Sequence, residues 1–498
     1  MSIPLRSARF GLACLAFFGF VVLYTLRVNL SVGLVCMLNH TELERIEDHK
    51  NRSDHKFDNV CGPVPKLEQK NEGPYVWIKN EQGLLLGAFF WGYMIFQLPG
   101  GMLAERYGPK LVVLVAMSIA GVLTILSPLA ADVDFIFLMV VRVLLGMCEG
   151  VFFPSFSCFW AKWAPPEERG LLAQSSVAGI HLGTIVTLTI SGGLCATVGW
   201  DVIFYLFGGT CLLWCLAWFI FSSNTPHTNR WCSEAEKKHI RETLAGQGVH
   251  QGGQSMRAIP WRSFLASLPV WSIIVGNLGT NFGTYLPLTQ LPTYMNEVLR
   301  FDIASNGLLS AVAYILNFVT YMLSGPTADL LINKRWLSVR NTRKLMMGLG
   351  LFGQGTFFIA LSFIDCRHQI VGVVLVDLAQ AMNGWGGGGL NLNYLDIAPR
   401  YAGTLMSIGN GLGAFTGIVA PYVASALTPD GTATQWSHVF WFSAGIEFLS
   451  ASFFILTAAG VVQPWAKDES EELPDERSNE VATDKKNVHL TSGLKTRF

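Results

Sequence analysis

Gly101-Met102-Leu103-Ala104-Glu105 and Gly325-Pro326-Thr327-Ala328-Asp329 are two versions of one pentapeptide: a glycine, two variable residues, an alanine and an acid. Basic residues follow both, Arg106 and Lys110 in the first copy, Lys334 and Arg335 in the second. Each copy also closes the second apolar run in a set of six. One device at the same place in both sets implies two equivalent halves. A glycine that lets helices approach, then an acid beside basic loop residues, suits a cytoplasmic latch that forms and breaks as the halves rock. An ordinary turn with solvated charges is the alternative for either copy alone, and the repetition favours the latch.

The runs themselves fall near 10–38, 82–104, 109–131, 134–161, 171–198 and 202–222, then near 265–292, 303–325, 343–364, 369–394, 402–427 and 436–461. Each is long enough to cross about 30 Å of hydrocarbon. The first exceeds the apolar core of a signal peptide and reads as a true span. Six plus six predicts an all-α membrane protein of 12 helices in two bundles. The boundaries follow: 1–222 the first bundle with an outer loop at 39–80, 223–262 a cytosolic central loop, 263–464 the second bundle, and 465–498 a charged cytosolic tail. Composition agrees, since 51% of the 498 residues are hydrophobic, 14% are charged and 50 are glycine. Acids and bases balance at 35 each, so no net field draws the chain to nucleic acid.

Lysine and arginine set the orientation. Arg6 and Arg9 precede the first span, Arg106 and Lys110 follow the second, and Lys334, Arg335, Arg340, Arg343 and Lys344 follow the eighth. Both termini and the central loop are therefore expected in the cytosol. The 39–80 loop falls outside, and its triplets at Asn39 and Asn51 are glycosylation acceptors by pattern. The ten cysteines show neither metal nor redox spacing; Cys14, Cys148, Cys195 and Cys211 read as small apolar residues, and Cys61 and Cys366, in loops on the same outer side, read as free thiols, with a pairing between them as the alternative. No metal site or cofactor is expected.

An ionisable side chain inside a span is costly and is read first as functional. Arg27 lies in Tyr24-Thr25-Leu26-Arg27-Val28-Asn29-Leu30-Ser31, where a guanidinium facing an aqueous cavity grips a carboxylate or phosphate through two parallel hydrogen bonds; an arginine snorkelling to the interface is the alternative. Tyr24, one turn earlier, joins it as a substrate-binding candidate. Arg142 and Glu149 stand seven residues apart, two turns along one helical face. Glu149 is the candidate for binding and releasing the coupling proton, and Arg142 for tuning it or holding substrate; a static ion pair is the alternative. His181, in Gly179-Ile180-His181-Leu182-Gly183, is a second proton candidate, although a lone histidine at such a close-packing stretch is more often structural. Asp377 and Glu447 are held in reserve. Gly384-Trp385-Gly386-Gly387-Gly388-Gly389 lacks the lysine and hydroxyl of a phosphate loop and reads as a deformable or tightly packed helix, and Gly413 and Gly417 as a further close-approach pair.

Leu26-Arg27-Val28-Asn29-Leu30-Ser31-Val32, Phe89-Phe90-Trp91-Gly92-Tyr93, Gln97-Leu98-Pro99-Gly100-Gly101, Glu149-Gly150-Val151, Trp163-Ala164-Pro165-Pro166 with Glu168-Arg169, Leu395-Asp396-Ile397-Ala398-Pro399 and Gln463-Pro464-Trp465-Ala466 together resemble the anion/cation symporter branch of the major facilitator superfamily. That branch contains sialin, the vesicular glutamate transporters and the type I sodium/phosphate cotransporters. The resemblance implies an anion site between the bundles, with Arg27 on substrate and Arg142 with Glu149 in coupling. Leu86 and Thr280 stand where the glutamate carriers have a histidine and an arginine. The pattern is more similar to sialin, though Leu145 replaces an acid and His181 an uncharged polar residue.

The resulting expectation is proton-coupled transport of a sialic-acid-like or other carboxylate by alternating access, with sodium-coupled phosphate transport as the alternative and a non-transporting anion sensor third. No nucleophile, base and oxyanion constellation marks an enzyme. The chain is expected to work as a monomer, since its two bundles complete a pathway, in the plasma membrane or an endolysosomal or vesicular membrane.

Overall fold

The computed structural model describes residues 7–39, 41–43, 45, 73–165, 172–173, 175–245, 261–301, 303–398 and 401–466. Arg6, Asn51, Cys61 and the tail from 467 lie outside the described residues. Among those described the chain is helical, with one isolated bridge between Leu38 and Tyr75. Spans one to six are Ala8–Met37, Lys79–Tyr107, Pro109–Val133, Phe135–Gly150 continued by Phe152–Trp163, Gly179–Thr197 and Asp201–Phe221. Spans seven to twelve are Leu268–Glu297, Ile303–Asn333, Val339–Leu361, Gln369–Ile397, Ala402–Leu427 and Ala433–Thr457.

Local chemistry sets many of these boundaries. The side chains of Ser7, Asp134, Ser338 and Thr432 each accept a hydrogen bond from a backbone N–H of the first turn they precede. Spans two and three are divided at Gly108, whose φ of 86° favours glycine, and Pro109 then starts the next helix without needing a donor. Span three shows the environment most clearly. Leu111, Val115, Ile119, Val122, Leu126 and Leu129 are exposed at helical spacing, while Val113, Met117, Ala120 and Thr124 are buried. An apolar stripe turned outward along a helix is a lipid face.

Eight spans are apolar enough over an 18-residue window to cross a membrane by composition, and span two, bent at Pro99, makes nine. Spans seven, ten and eleven, at 30, 29 and 26 residues, are long enough as well. Their hydropathy is diluted by Asn277, Asn281, Asn383, Asn391, Asn393 and Asn410 and by glycine. These residues face other helices. Gly384, Gly387 and Gly388 lie against Thr320, Tyr321 and Ser324 of span eight, so the glycine run is a packing surface in a continuous helix. Gly179 and Gly183 likewise let span five lie on the backbone of span one at Phe17 and Val21.

The two bundles meet along spans two and eleven and along spans five and eight. Gly417 lies against the Phe90 ring, Phe90 against Tyr285 of span seven with ring centres 4.6 Å apart, and Gly307 against the backbone of Leu188. Beyond these contacts, away from the basic end, Lys79 pairs with Glu297, which also accepts from Trp436 Nε1 at 3.0 Å. The outer end is thus sealed across the bundles. At the basic end Glu236, in the helix Glu234–Ala245, accepts from the backbone of Ala8 at 3.0 Å and of Arg9 at 3.2 Å and pairs with the Arg9 side chain at 2.9 Å. A carboxylate there complements the dipole of span one and ties the central segment to the first bundle.

Three expectations change. Cys36 and Cys195 are joined by a disulfide between spans one and five, so Cys195 is a cross-link and not a small apolar filler, and Cys366 is disulfide-bonded and not free. Gly325 would meet nothing within 4 Å if it carried a Cβ, and Gly101 would make ordinary contact with Pro154 at 3.6 Å, so neither glycine serves a close helix approach in this state. Glu105 and Asp329 are exposed, and Arg106 lies over its neighbour Tyr107 at 5.4 Å. In this state the pentapeptides lie inside the helices of spans two and eight rather than in turns, with their acids solvated.

Removing the Lys79–Glu297 pair by Lys79→Ala should loosen the outer seal. Labelling of a cysteine placed at Ser425, which lies against Gly83 beside the seal, by an impermeant maleimide is expected to rise about fivefold, from the ~1 kcal/mol of a partly screened pair. The exchange Lys79→Glu with Glu297→Lys should restore protection.

Candidate substrate and coupling site

Ion placement in the first bundle begins with helix geometry in span four. Pro154 has no N–H to give and its ring opposes the carbonyl four residues back, that of Gly150; the helix stops at Gly150 and restarts at Phe152. Glu149 therefore sits at the end of the first segment, two turns below Arg142 and on the same face. Both side chains reach span one, by different routes.

Glu149 Oε2 accepts from Arg27 Nε and Nη2, each at 3.3 Å, and both side chains are almost wholly buried. The Arg27 guanidinium also lies over three rings: Tyr24 at 4.7 Å, Phe89 at 4.8 Å and Tyr93 at 4.4 Å from their centres. A desolvated cation within such an aromatic box gains from the ring quadrupoles as well as from the carboxylate. Arg142 forms no bond to Glu149. Its Nη1 donates to Asn29 Oδ1 and its Nη2 to the backbone carbonyl of Arg27, both at 3.2 Å. One arginine holds the backbone of span one while the other carries the pair.

Two buried arginines against one buried glutamate leave a surplus positive charge. Glu149 Oε1, Arg142 Nε and Asn29 Nδ2 have no hydrogen-bond partner here. A site with excess cation and spare donors, beside the meeting surface of the bundles, is suited to an anion.

Sequence reasoning singled out Tyr24, Arg27, Arg142 and Glu149, and the fold gathers these four. His181 stands apart at the junction of spans five and eight, with its ring 5.6 Å from Phe318 and 5.1 Å from Tyr321. Asn39 uses its Oδ1 to accept from Glu42 N at 2.9 Å. Asp377 is half-buried with one oxygen unpartnered, and Glu447 is fully buried in the second bundle.

Several polar neighbours were missed. Tyr93 and Gln97 of span two share Asn410 of span eleven, which donates to Tyr93 Oη at 3.4 Å and Gln97 Oε1 at 3.2 Å. Gln97 Nε2 is buried without a partner. Beside it lies a cavity of about 330 Å³ between Met94, Phe264, Ile274 and Ile408, and Asn410 links Gln97 at its edge to Tyr93, whose ring faces Arg27. The available signal was the four-residue spacing of Phe89, Tyr93 and Gln97 on one face. Among the described residues no cluster of His, Cys, Asp or Glu is arranged to hold a metal.

Arg27→Gln and Glu149→Gln together should cost less stability than the two single losses summed, because each single change strands a buried charge. Thermal unfolding in detergent is expected to give a coupling of about 2 kcal/mol or more; additive losses would mean the pair contributes little.

The sequence profile of the Major Facilitator Superfamily matches residues 10–421. Sialin of Homo sapiens is 39% identical over 461 residues, which are 92% of this chain and 91% of that protein. Vesicular glutamate transporter 1 of Xenopus tropicalis is 34% identical over 470 residues, 94% of this chain and 77% of that protein. Among solved structures, a bacterial homolog to the human lysosomal transporter Spinster, in an inward-facing and occupied conformation, superposes with a TM-score of 0.64 at 15% identity, covering 92% of this chain and 97% of that one. A D-xylose-proton symporter gives 0.64 at 15%, covering 91% and 99%. At such identities the structural likeness speaks for the fold, while the sequence profile and the curated relatives speak for kinship. The chain belongs to the Major Facilitator Superfamily and is a multi-pass membrane transporter, not an enzyme.

Proposed function

We propose that this chain is a secondary transporter that moves a small organic anion, a sialic-acid-like or other carboxylate, together with protons. The observation that carries the reading is the buried excess of arginine over glutamate at Arg27, Arg142 and Glu149. Similarity to sialin and to vesicular glutamate transporters over more than nine-tenths of the chain supports an anion as cargo.

In this reading Glu149 and the substrate compete for Arg27. While Glu149 is ionised it occupies the guanidinium. A proton on Glu149 releases the Arg27 fork, and an incoming carboxylate takes its place through two parallel hydrogen bonds. Tyr24 and Tyr93 frame the cation, and Arg142 keeps the backbone of span one in register. Cation and anion thus load together, which is the requirement of symport, and the bundles rock around the filled site. The segments at Gly101, Glu105 and Arg106 and at Gly325 and Asp329 would close the basic end in the opposite state. Asn39 and Asn51 would carry glycans on the outer loop, and one chain would suffice.

Uptake into proteoliposomes of purified protein tests this, with sialic acid, glutamate, urate and phosphate offered under an imposed pH gradient and, separately, a sodium gradient. Acid-driven uptake of a carboxylate is the expected result. Sodium-driven phosphate uptake would keep the family and overturn both cargo and coupling ion. Glu149→Gln should abolish the response to the pH gradient while leaving counterflow exchange, and full pH-driven uptake by that variant would remove Glu149 from coupling. Arg27→Lys, which keeps the charge and loses the fork, should cut uptake about tenfold or more.

A further inference from the structure

Glu447 lies midway along span twelve, fully buried, and neither carboxyl oxygen has a hydrogen-bond partner. Room for it is made by two glycines. A Cβ at Gly355 of span nine would stand 3.2 Å from Glu447 Oε2, and Gly283 of span seven lies against both Glu447 Oε1 and Gln354 Oε1.

The orientation of Gln354 is fixed from its other side. Its Nε2 donates to the carbonyl of Gly283 at 2.8 Å, and its Oε1 accepts from Asn383 Nδ2 at 2.8 Å. Asn383 is held in turn, its Oδ1 accepting from Asn317 Nδ2 at 3.3 Å and Thr284 Oγ1 at 3.4 Å, while Asn317 Nδ2 also reaches the Gln380 carbonyl at 2.8 Å. Rotating the Gln354 amide would set its oxygen against the Gly283 carbonyl. The face turned toward Glu447 is therefore an acceptor. This oxygen and Glu447 Oε1 both lie over Gly283 in a buried site, and an ionised carboxylate beside that acceptor would be uncompensated.

Among the described residues no countercharge is in place. Span seven carries one charged residue, Glu297 at its far end, besides Tyr285 and Tyr294. Span nine carries Arg340, Arg343 and Lys344 in its first two turns; Arg343 is committed to Asp396, and Arg340 donates to the Ala458 carbonyl. Span eleven offers Tyr422, which is exposed, and span twelve itself only His438, nine residues earlier. Span ten, which supplies Asn383, holds Asp377 six residues before it and Tyr394 and Asp396 near its end.

We infer that Glu447 is a second proton-binding site: a carboxylic acid that keeps its proton in the outward-sealed state and shares it with Gln354 Oε1. It is separate from the Arg27–Glu149 pair and does not depend on the function assigned to that pair. Span seven gives the site a route to the transport cycle. The same helix lines the carboxyl at Gly283, meets the first bundle at Tyr285 and joins the outer seal at Glu297. Movement of span seven with the bundles would change how far Glu447 is shielded from water.

Infrared spectra of the purified protein at neutral pH test the inference through the carbonyl stretch of a protonated carboxyl. The wild type should show such a band that disappears in Glu447→Gln, persists in Glu149→Gln, and moves to higher frequency in Gln354→Ala, where the acceptor is gone. Identical wild-type and Glu447→Gln spectra in that region would overturn the proposal, as would loss of the band on adding sodium at constant pH, which would make the site a metal-ion site. Should Glu447→Gln fail to fold, Glu447→Asp decides: a displaced acid band supports the inference, and an unchanged spectrum sinks it.

Discussion

A guanidinium removed from water must be answered on every side, and Arg27 shows how much of a bundle that requires. Its charge is met by Glu149, its faces by Tyr24, Phe89 and Tyr93, and its own carbonyl by Arg142. Those partners come from spans one, two and four. Their mutual positions are therefore constrained by one side chain, and the interruption of span four opposite Pro154 puts Glu149 at the end of its segment. Glycine completes the arrangement, since Gly92 and Gly146 bring the backbones of spans two and four into contact at Val143 and Phe89.

The two bundles solve the same problem with different chemistry. The first concentrates full charges at one place. The second, apart from the buried Glu447 and the Arg343–Asp396 pair, spreads its polarity over amides and hydroxyls, with Thr284, Asn317 and Gln354 all bonded to Asn383 across spans seven to ten. Amides satisfy one another without the desolvation cost of ions, which is why spans seven and ten fall short on hydropathy and still pack inside. The outer seal joins the halves through span seven, whose Pro287 and Pro292 remove two hydrogen bonds from the helix between Tyr285 and Glu297. A helix softened there can change its outer half without displacing its inner half.

The span pattern was legible because apolar length is a local property. So were Arg27 and Glu149, because an ion inside such a run stands out against the cost of burying it. What the runs could not reveal was direction. Arg142 is as conspicuous in sequence as Glu149, yet it serves the backbone of span one, and only the packing of spans one and four shows this. Gln97 and Asn410 meet across the bundles at a distance in sequence that no periodicity encodes. The Cys36–Cys195 link was hidden for the same reason, since 159 residues separate its ends and both lie in apolar runs. Gly325 is the opposite case, because a glycine in a repeated motif reads as a contact, and in this state the neighbouring helix stands away.

The disulfide bears on which compartment each end of the molecule meets. Cys36 and Cys195 close spans one and five at the end opposite the lysine and arginine clusters, and Cys366, also disulfide-bonded, lies between spans nine and ten at that same end. Such bonds persist where the surroundings are oxidising and are lost where glutathione is plentiful. Redox chemistry thus suits that end to the lumen of a secretory or endocytic compartment or to the cell exterior, and it does so without reference to charge. Thiols and basic side chains, by unrelated chemistry, thus distinguish the same two ends of the molecule.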